Sequence, residues 1–325
     1  MVKKHINLCA VRRNAKSISV STKLIAVVKA NAYGHGAIAV AKALERIAFA
    51  FAVATENEAK DLLESGIQND IIILQPCRYP GLNANNIIYT LSSPERAVAF
   101  EDKRVALKFN TGMNRFGADK ETVKPLIKEA GKYARIHSVY THLRDACCAS
   151  ETDAQYALFD NFTGKLPYLR HIAASGAIER ERKKPYGAAR CGIALYGGIT
   201  GFESAMKVTA NIIETRHVKR GEGVGYGSAT ITEDTDIAVI DIGYRNGYRR
   251  LSAPRYVSIK GIKRKVLAVC MDCSITECGS SDKATDEVEI MGESITPHEL
   301  ALSFGTNEYE LFTTIGINGE YDYGY

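Results

Sequence analysis

Short apolar runs rich in β-branched residues recur through the first two-thirds of the chain, with helix-forming segments between them. Eight of these runs predict strands, at 24–29, 49–53, 70–74, 86–91, 104–109, 136–141, 169–173 and a weaker one that ends near Arg190. The intervening segments, such as 37–46 and 56–65, carry the apolar stripe of amphipathic helices. Alternation of strands and helices favours parallel pairing, and eight such units favour a closed (β/α)₈ barrel over an open sheet.

The pattern changes after about residue 205. Closely spaced strand candidates follow, joined by turn signals, at 207–218, 236–242, 256–259, 265–269 and 287–291. Thr296 is predicted to cap a helix that begins at Pro297, with Glu299 completing a capping box. We therefore predict an α/β chain of two domains, a barrel at 1–205 and a mostly-β domain at 206–325. The first ten or so residues are expected to pair with the second domain.

Composition and charge narrow the class of protein. The 325 residues are 46% hydrophobic with a net charge of +5, and basic runs lack the interleaved aromatic residues of a nucleic-acid surface. An apolar signal region and a run long enough to span a membrane are also missing from the sequence. We expect a soluble, cytoplasmic protein that binds neither nucleic acid nor membrane. The eight cysteines are interpreted as reduced thiols, and fragments such as Cys270-Met-Asp-Cys273 are too incomplete to predict a metal site.

Lys29 closes the first predicted strand and precedes a small, polar, glycine-punctuated turn, Ala-Asn-Ala-Tyr33-Gly-His-Gly. The carboxyl ends of barrel strands are where such folds assemble their active sites. Partial desolvation there would lower the pKa of the lysine and make it useful as an amine nucleophile or base. The alternative is a strand-end lysine that reaches solvent, and this feature alone does not decide between the two.

Other reactive side chains follow the later strands. Arg115 lies in the loop after the fifth strand, His142 follows the sixth, Ser175 the seventh, and Arg190 ends the eighth. Each has an ordinary structural explanation, as a surface ion pair, a core histidine or a helix cap. Their joint placement at strand ends favours an active site. The glycine loops that bind dinucleotides or nucleotides follow none of these strands, which disfavours such cofactors.

Seven segments in order along the chain carry a resemblance to a known family. They read Val-Val-Lys29-Ala-Asn-Ala-Tyr33-Gly-His-Gly, Thr111-Gly-Met-Asn-Arg115-Phe-Gly117, Tyr140-Thr-His142-Leu143, Arg190-Cys-Gly192-Ile193-Ala-Leu-Tyr-Gly197, Gly223-Val-Gly-Tyr226-Gly, Ile242-Gly-Tyr-Arg-Asn-Gly-Tyr248 and Val269-Cys-Met271-Asp272. In these the chain resembles the pyridoxal-phosphate-dependent alanine racemases. The resemblance implies a barrel domain, a β domain, and a head-to-tail homodimer in which each active site combines residues of both chains.

The resemblance also implies catalytic roles. Lys29 would hold pyridoxal phosphate as a Schiff base and act as one of two bases on opposite faces of the substrate. Tyr226 of the partner chain would be the other base, assisted through hydrogen bonds by His142 and Arg190. Arg190 would face the pyridine nitrogen and keep it unprotonated, since a guanidinium does not readily give up its proton. That arrangement suppresses side reactions such as transamination.

Binding roles follow from the same resemblance. The expected phosphate ligands are Tyr33, Ser175 and the backbone N–H groups of Gly192 and Ile193. The substrate carboxylate would meet Arg115 and the backbone N–H of the partner's Met271. Lys108 matches a position that is often carbamylated in this family, where it braces the arginine.

Several positions depart from the family pattern and leave the preferred amino acid open. The stretch Thr314-Ile-Gly-Ile317-Asn318 lacks the family's Arg-Val-Pro segment and the phosphate-contacting tyrosine that often precedes it, so this tyrosine is missing or replaced from elsewhere. Cys147 replaces an acidic residue, and Ala268 replaces an arginine. Arg144 and Asp145 add charges beside His142. L- and D-alanine are the expected substrates. A serine or broad-specificity racemase is the alternative, and a pyridoxal-phosphate-dependent decarboxylase or a non-catalytic cofactor carrier is disfavoured by Tyr226 and the second domain.

Overall fold

The computed structural model describes residues 1–146, 148–178, 186–227, 229–250 and 252–324. Its contacts divide the chain into two compact units. The barrel unit comprises Val11–Ala32 and Ala37–Phe202, and the β unit comprises Met1–Ala10, Tyr33–Gly36 and Glu203–Tyr325. A short internal segment after Lys29 therefore groups with the β unit, and the domain bounds 1–205 and 206–325 stay a prediction.

The barrel unit is built on eight parallel strands. After strand β1 (Lys3–Asn7) and helix α1 (Leu8–Ser19), the chain forms β2 (Lys23–Val27), β3 (Ala50–Val53), β4 (Asp70–Ile73), β5 (Ile87–Leu91), β6 (Arg104–Lys108), β7 (Arg135–Tyr140), β8 (Leu169–His171) and β9 (Ala188–Cys191). The order is β8-β7-β6-β5-β4-β3-β2-β9. Parallel bridges from Arg170 to Gly187 and from Ala174 to Arg190 join the two ends of the sheet and close it. The predicted (β/α)₈ barrel is confirmed.

Several barrel strands are almost entirely apolar, as expected of strands that are covered on both faces. All four residues of β3 and all five of β5 are buried. Helices on the outside of the sheet are α3 (Ala37–Leu44), α4 (Glu56–Glu64), α5 (Val123–Tyr133) and α6 (Ala149–Thr163). Within the described ranges, no helix is both long and apolar enough to cross a membrane.

The β unit is a mostly antiparallel sheet. Its strands are β10 (Met206–Val218), β13 (Thr235–Ile240), β14 (Tyr256–Ile259), β15 (Ile262–Val269), β16 (Ser274–Glu277), β17 (Glu287–Met291) and β18 (Glu320–Gly324), with β11 (Gly223–Val224) and β12 (Ala229–Thr230) forming a separate hairpin. The order is β13-β16-β15-β14-β17-β10-β1-β18. The predicted mostly-β C-terminal architecture is confirmed, while β11, β12, β16 and β18 lie outside the predicted strands.

Two short helices, α7 (Pro297–Ser303) and α8 (Glu308–Thr314), complete the β unit. The predicted cap of α7 is confirmed, because Thr296 Oγ1 accepts a hydrogen bond from the Glu299 N–H at 3.1 Å. The rest of the predicted capping box is wrong. The Glu299 carboxylate instead accepts from Lys263 Nζ at 2.8 and 2.9 Å.

The first barrel strand ends earlier than its apolar run predicts. β2 stops at Val27, and Lys29 begins a single turn of helix, α2 (Lys29–Gly34). Four consecutive residues of this turn, Ala30 to Tyr33, have φ between 52° and 54°. A left-handed turn costs roughly 1–2 kcal/mol for each residue other than glycine, so the surrounding structure must hold it in place.

Candidate active site

Lys29 lies just beyond the carboxyl end of β2, in the position that barrel folds use for chemistry. Its pKa is lowered, mainly by burial and then by the Arg115 cation, with Arg190 adding to the effect and the Glu58 carboxylate opposing it. A lowered pKa raises the fraction of neutral amine near pH 7, which is the form that attacks a carbonyl or takes a proton. The environment of Lys29 therefore favours a nucleophile or base.

Glu58 fixes the backbone on either side of this position. Its Oε1 accepts the N–H of Ala30 at 2.7 Å, and its Oε2 accepts the N–H groups of Ala54 and Thr55 at 2.6 and 3.2 Å. The same carboxylate thus caps α4 and anchors the first residue after Lys29. The sequence analysis missed Glu58, although the Thr55-x-x-Glu58 capping-box spacing was a signal that could have found it.

Arg190, on β9, is 3% exposed and forms the centre of a hydrogen-bond network. Its Nη1 donates to both Nδ1 and the carbonyl oxygen of His171 at 2.7 Å, and its Nη2 donates to the Thr141 carbonyl at 2.5 Å. Because a guanidinium only donates, His171 carries its proton on Nε2, which faces Ser138 Oγ at 3.1 Å. This network holds a permanent cation in one orientation inside the barrel.

His142 lies in the loop after β7, with Arg190 Nη2 3.4 Å from its Nδ1. Burial, together with the cations of Arg190, Arg115, Lys108 and Lys29, lowers the pKa of His142 to about 2. The imidazole is therefore neutral at working pH, and its proton lies on Nε2 because Nδ1 faces a donor. A neutral ring with one donor and one acceptor can transmit a hydrogen bond from Arg190 to a further group.

Lys108, at the end of β6, is 4% exposed and surrounded by cations and aromatic rings. Its Nζ lies 5.1 Å from the ring centroid of Phe116 and 5.4 Å from that of Tyr140. Burial and the cations of Arg190, Arg115 and Lys29 lower its pKa to about 7. Arg115 itself is exposed, with its guanidinium carbon 5.9 Å from the Phe116 ring.

Ser175 and the start of a 3₁₀ turn form a small cluster of donors at the ends of β8 and β9. The Ser175 Oγ accepts the N–H groups of Gly192 and Ala194 at 3.1 and 3.2 Å. Its hydroxyl proton can then be donated to an anion. Ile193 begins the 3₁₀ turn Ile193–Tyr196 directly after Gly192. Backbone N–H groups beside a hydroxyl are a donor set suited to phosphate.

In the β unit, the turn that contains Tyr33 is held by residues from the two ends of the chain. The Gly34 carbonyl accepts hydrogen bonds from Lys4 Nζ at 3.0 Å and from the Tyr321 hydroxyl at 3.1 Å. His35 Nδ1 donates to the Tyr33 carbonyl at 2.9 Å. Burial lowers the pKa of Lys4 to about 8. The sequence analysis missed Lys4 and Tyr321, and nothing in their local sequence pattern distinguishes them.

Tyr226 and Met271, the residues predicted to serve a partner's site, are exposed on the β unit, at 74% and 51%. Tyr226 lies between Gly225 and Gly227, which have φ of 68° and 66°. The Met271 carbonyl accepts the Arg245 N–H at 3.1 Å and lies so close to Gly243 that a side chain there would clash. Both residues are thus presented on well-defined turns.

Comparison with known proteins identifies the family to which the chain belongs. The family model described as the alanine racemase N-terminal domain matches residues 6–200, and the one described as the alanine racemase C-terminal domain matches residues 205–323. The chain belongs to the alanine racemase family. A biosynthetic alanine racemase of Escherichia coli O6:H1 is 32% identical, over 95% of each chain. The alanine racemase of Edwardsiella ictaluri is 33% identical, over 94% of this chain and 93% of its own.

Solved structures of alanine racemases have the same fold. That from Clostridium difficile superposes with a TM-score of 0.90 and 28% identity, over 99% of this chain and 95% of its own. That from Bartonella henselae, solved with covalently bound pyridoxal phosphate, has a TM-score of 0.87 and 26% identity over 99% of each chain. The predicted family and enzyme class, an isomerase of the racemase type, are confirmed, and pyridoxal phosphate is supported as the family's cofactor.

The alanine racemase residues predicted from the sequence fall into two groups. In the barrel unit, burial and four cations lower the pKa of His142, and three further residues form the donor cluster at the ends of β8 and β9. The cations are Lys29, Lys108, Arg115 and Arg190, and the cluster is Ser175, Gly192 and Ile193. Tyr33, Tyr226 and Met271 belong to the β unit.

The departures from the alanine racemase pattern are also located by the structure. Ala268 is fully buried on β15, whereas Ile317 is 59% exposed. Asp145 is exposed, and its carbonyl accepts from Thr152 Oγ1 at 3.0 Å. Cys147 lies outside the described residues. The roles of all these residues stay predictions.

Proposed function

We propose that this chain interconverts L- and D-alanine with pyridoxal phosphate bound covalently to Lys29. The single observation that carries the proposal is the electrostatic grouping of Lys29, a lysine of lowered pKa, with the buried Arg190 and the neutral His142 at the strand ends of the barrel. Lys29 offers an amine for the cofactor carbonyl, and Arg190 offers a partner for the nitrogen of its ring.

The donor set fits the cofactor. Lys29 supplies the amine, and the Ser175 hydroxyl and the Ile193 N–H are the proposed hydrogen-bond donors for a phosphate. The Gly192 N–H donates to Ser175 Oγ, so Gly192 is proposed to act at the phosphate by orienting that hydroxyl. Tyr33 is the further proposed phosphate ligand. Hydrogen bonds from Lys4 and Tyr321 to the Gly34 carbonyl hold the turn that contains it. When bound, pyridoxal phosphate supplies an electron sink that acidifies the Cα–H of an amino acid.

Racemisation requires a proton to leave one face of Cα and another to arrive on the opposite face. Lys29 Nζ is the proposed proton carrier for one face, and the hydroxyl oxygen of the partner's Tyr226 for the other. A phenol has a pKa near 10 and needs stabilisation of its anion. His142 Nε2–H is available to donate to it, because Nδ1 faces Arg190. This hydrogen-bonded relay, from Arg190 through His142 to the partner's Tyr226, would let the Arg190 charge stabilise the phenolate.

Arg190 also determines which reaction is favoured. Its five N–H groups only donate, and burial among carbonyl and imidazole acceptors fixes its direction. We propose that it faces the pyridine nitrogen of the cofactor and leaves that nitrogen unprotonated. That arrangement would favour return of the proton to Cα, and therefore racemisation over transamination.

The active site is proposed to be completed in a head-to-tail homodimer. Exposure of Tyr226 and Met271 on the β unit is consistent with their serving a neighbouring chain. The partner's Met271 would donate its backbone N–H to the substrate carboxylate, opposite Arg115. A serine or broad-specificity racemase is the second candidate function, because the fully buried Ala268 occupies the place of a family arginine.

Purified protein tests the proposal directly. Reconstituted with pyridoxal phosphate, it should develop a visible absorption band that borohydride bleaches, and peptide mapping should find the reduced cofactor on Lys29. A panel of L-amino acids followed by chiral chromatography should give alanine the highest rate. A colourless protein that cannot be reconstituted would exclude the cofactor, and faster turnover of serine would select the second candidate.

Lys108 is proposed to carry a carbamate, formed when its neutral amine adds to carbon dioxide with loss of one proton. Its pKa of about 7 makes the reactive neutral amine abundant, and the product's negative charge would offset the surrounding Arg190, Arg115 and Lys29 cations. Protein equilibrated with ¹³C-bicarbonate should show a carbamate resonance that increases from pH 6 to pH 8, because the amine loses its proton across that interval. The resonance should vanish in Lys108→Met, and its persistence there would contradict the assignment.

A further inference from the structure

Gln155 lies on α6 in the barrel unit, and only 4% of it is exposed. Its side-chain amide makes three hydrogen bonds. Nε2 donates to Thr111 Oγ1 at 3.0 Å and to the main-chain carbonyl of His142 at 3.2 Å, and Oε1 accepts the main-chain N–H of Arg144 at 2.9 Å. The amide thus joins the helix to the loop that carries His142.

The orientation of this amide is determined by its partners. A main-chain N–H can only donate and a carbonyl can only accept, so Oε1 must face Arg144 and Nε2 must face His142. Turning the amide over would place two donors together and two acceptors together in a buried space. The arrangement therefore defines one position for the backbone on both sides of the imidazole.

The network continues from Gln155 to the barrel interior. Thr111 Oγ1, which receives the amide N–H, is 2.8 Å from Thr141 Oγ1. The Thr141 carbonyl in turn accepts from Arg190 Nη2 at 2.5 Å. His142 is therefore held from one side by Arg190, through Thr141 and its own ring, and from the other by Gln155.

We propose that Gln155 is a positioning residue that aligns His142 for proton transfer at the face of the substrate that Tyr226 serves. This inference rests on the proposed function. The relay needs His142 Nε2 within hydrogen-bond reach of a phenol while Nδ1 faces Arg190, and displacement of about 1 Å in such a geometry costs up to about 10²-fold in rate. The backbone directly after Lys29 is held instead by Glu58, which accepts the Ala30 N–H, so we expect the opposite face to be independent of Gln155.

Gln155→Met tests the inference, because it keeps the length of the side chain and removes all three hydrogen bonds. The substrate is the amino acid that the wild type racemises fastest, deuterated at Cα in each enantiomer in turn. We expect kcat to fall about ten-fold. The deuterium isotope effect on kcat should rise for the enantiomer whose Cα proton is taken by Tyr226, and it should fall for the other enantiomer. The Tyr226→Phe variant shows which enantiomer Tyr226 deprotonates. Isotope effects do not depend on the fraction of folded enzyme, so a merely structural role would leave their ratio unchanged.

Gln155→Glu is the second variant, since it keeps the shape but turns a donor into an acceptor facing the His142 carbonyl. It should change the ratio of isotope effects in the same direction. Matched controls are Gln68→Met, at an exposed glutamine, and Thr163→Val, at a buried α6 hydroxyl that donates to Phe159. Both controls should keep the wild-type ratio. A wild type that racemises no amino acid would overturn the proposed function and this inference together. A racemising wild type whose ratio is unchanged in both Gln155 variants would overturn this inference alone.

Discussion

Lys29→Ala should abolish racemisation, with a loss of more than about 10⁴-fold in kcat/KM, because it removes the cofactor's attachment point and one of two proton carriers together. The protein should remain folded. Lys29 is a partly buried cation of lowered pKa beside Arg115 and Arg190, so removing its charge relieves desolvation and repulsion. The measurement is racemisation followed by chiral chromatography, alongside a thermal melt.

Lys42→Ala is the matched control for this loss. Lys42 is exposed on α3, and its removal should leave both rate and melting temperature unchanged. Added methylamine should restore part of the Lys29→Ala activity, since a small amine can move a proton in the vacated space. Activity within ten-fold of the wild type in Lys29→Ala would contradict the assignment of Lys29.

The barrel could be predicted from the sequence because its strands are buried on both faces and so appear as unbroken apolar runs. β1, with the sequence Lys-Lys-His-Ile-Asn, and β18, with Glu-Tyr-Asp-Tyr-Gly, contain no such run. These two strands pair with each other from opposite ends of the chain, in parallel, and only the folded partner makes them strands. The local pattern of apolar residues therefore predicts the strands of the barrel better than it predicts the edge strands of the β unit.

The left-handed turn after Lys29 could not be predicted, because the conformation is imposed by tertiary contacts. A side chain at Gly34 would clash with the Phe312 carbonyl, and Gly34 and Gly36 have φ of 76° and 92°, so both positions favour glycine. The apolar run Leu-Ile-Ala-Val-Val before Lys29 instead favours a continued strand. Close packing in the β unit thus constrains the end of the turn at Gly34, and the Glu58 carboxylate anchors its beginning at Ala30.

Residues that act directly in the proposed chemistry could be found from strand ends and motifs, whereas those that support them could not. His171 and Glu58 contact their partners Arg190 and Ala30 from 19 and 28 positions away in the chain. Gln155 reaches Thr111 across 44 positions. No local pattern marks His171 or Gln155, since the role of each comes from a hydrogen bond that only the closed barrel creates. The capping-box spacing marks Glu58 as part of a helix cap but does not predict its contact with Ala30.

Tyr226→Phe should reduce racemisation by about 10²- to 10⁴-fold, the range that a positioned acid or base contributes. Because L- and D-alanine have equal free energies, kcat/KM must stay equal in the two directions, so the loss cannot favour one direction of turnover. The two enantiomers should instead differ in how readily their Cα deuterium exchanges with solvent. The enantiomer served by Lys29 should lose its Cα deuterium to solvent without inversion, while the other enantiomer keeps its label, as measured by NMR with chiral chromatography.

Tyr256→Phe is the matched control, since Tyr256 is a second exposed tyrosine of the β unit and lies at the start of β14. It should leave exchange symmetrical and racemisation near the wild-type rate. A mixture of Tyr226→Phe with Lys29→Ala provides a further measurement, because a site shared between two chains pairs an intact Lys29 with an intact Tyr226 in some mixed dimers. Activity should then rise above that of either variant alone. Equal loss of deuterium from both enantiomers in Tyr226→Phe would contradict two bases, and a mixture without recovered activity would contradict a shared site.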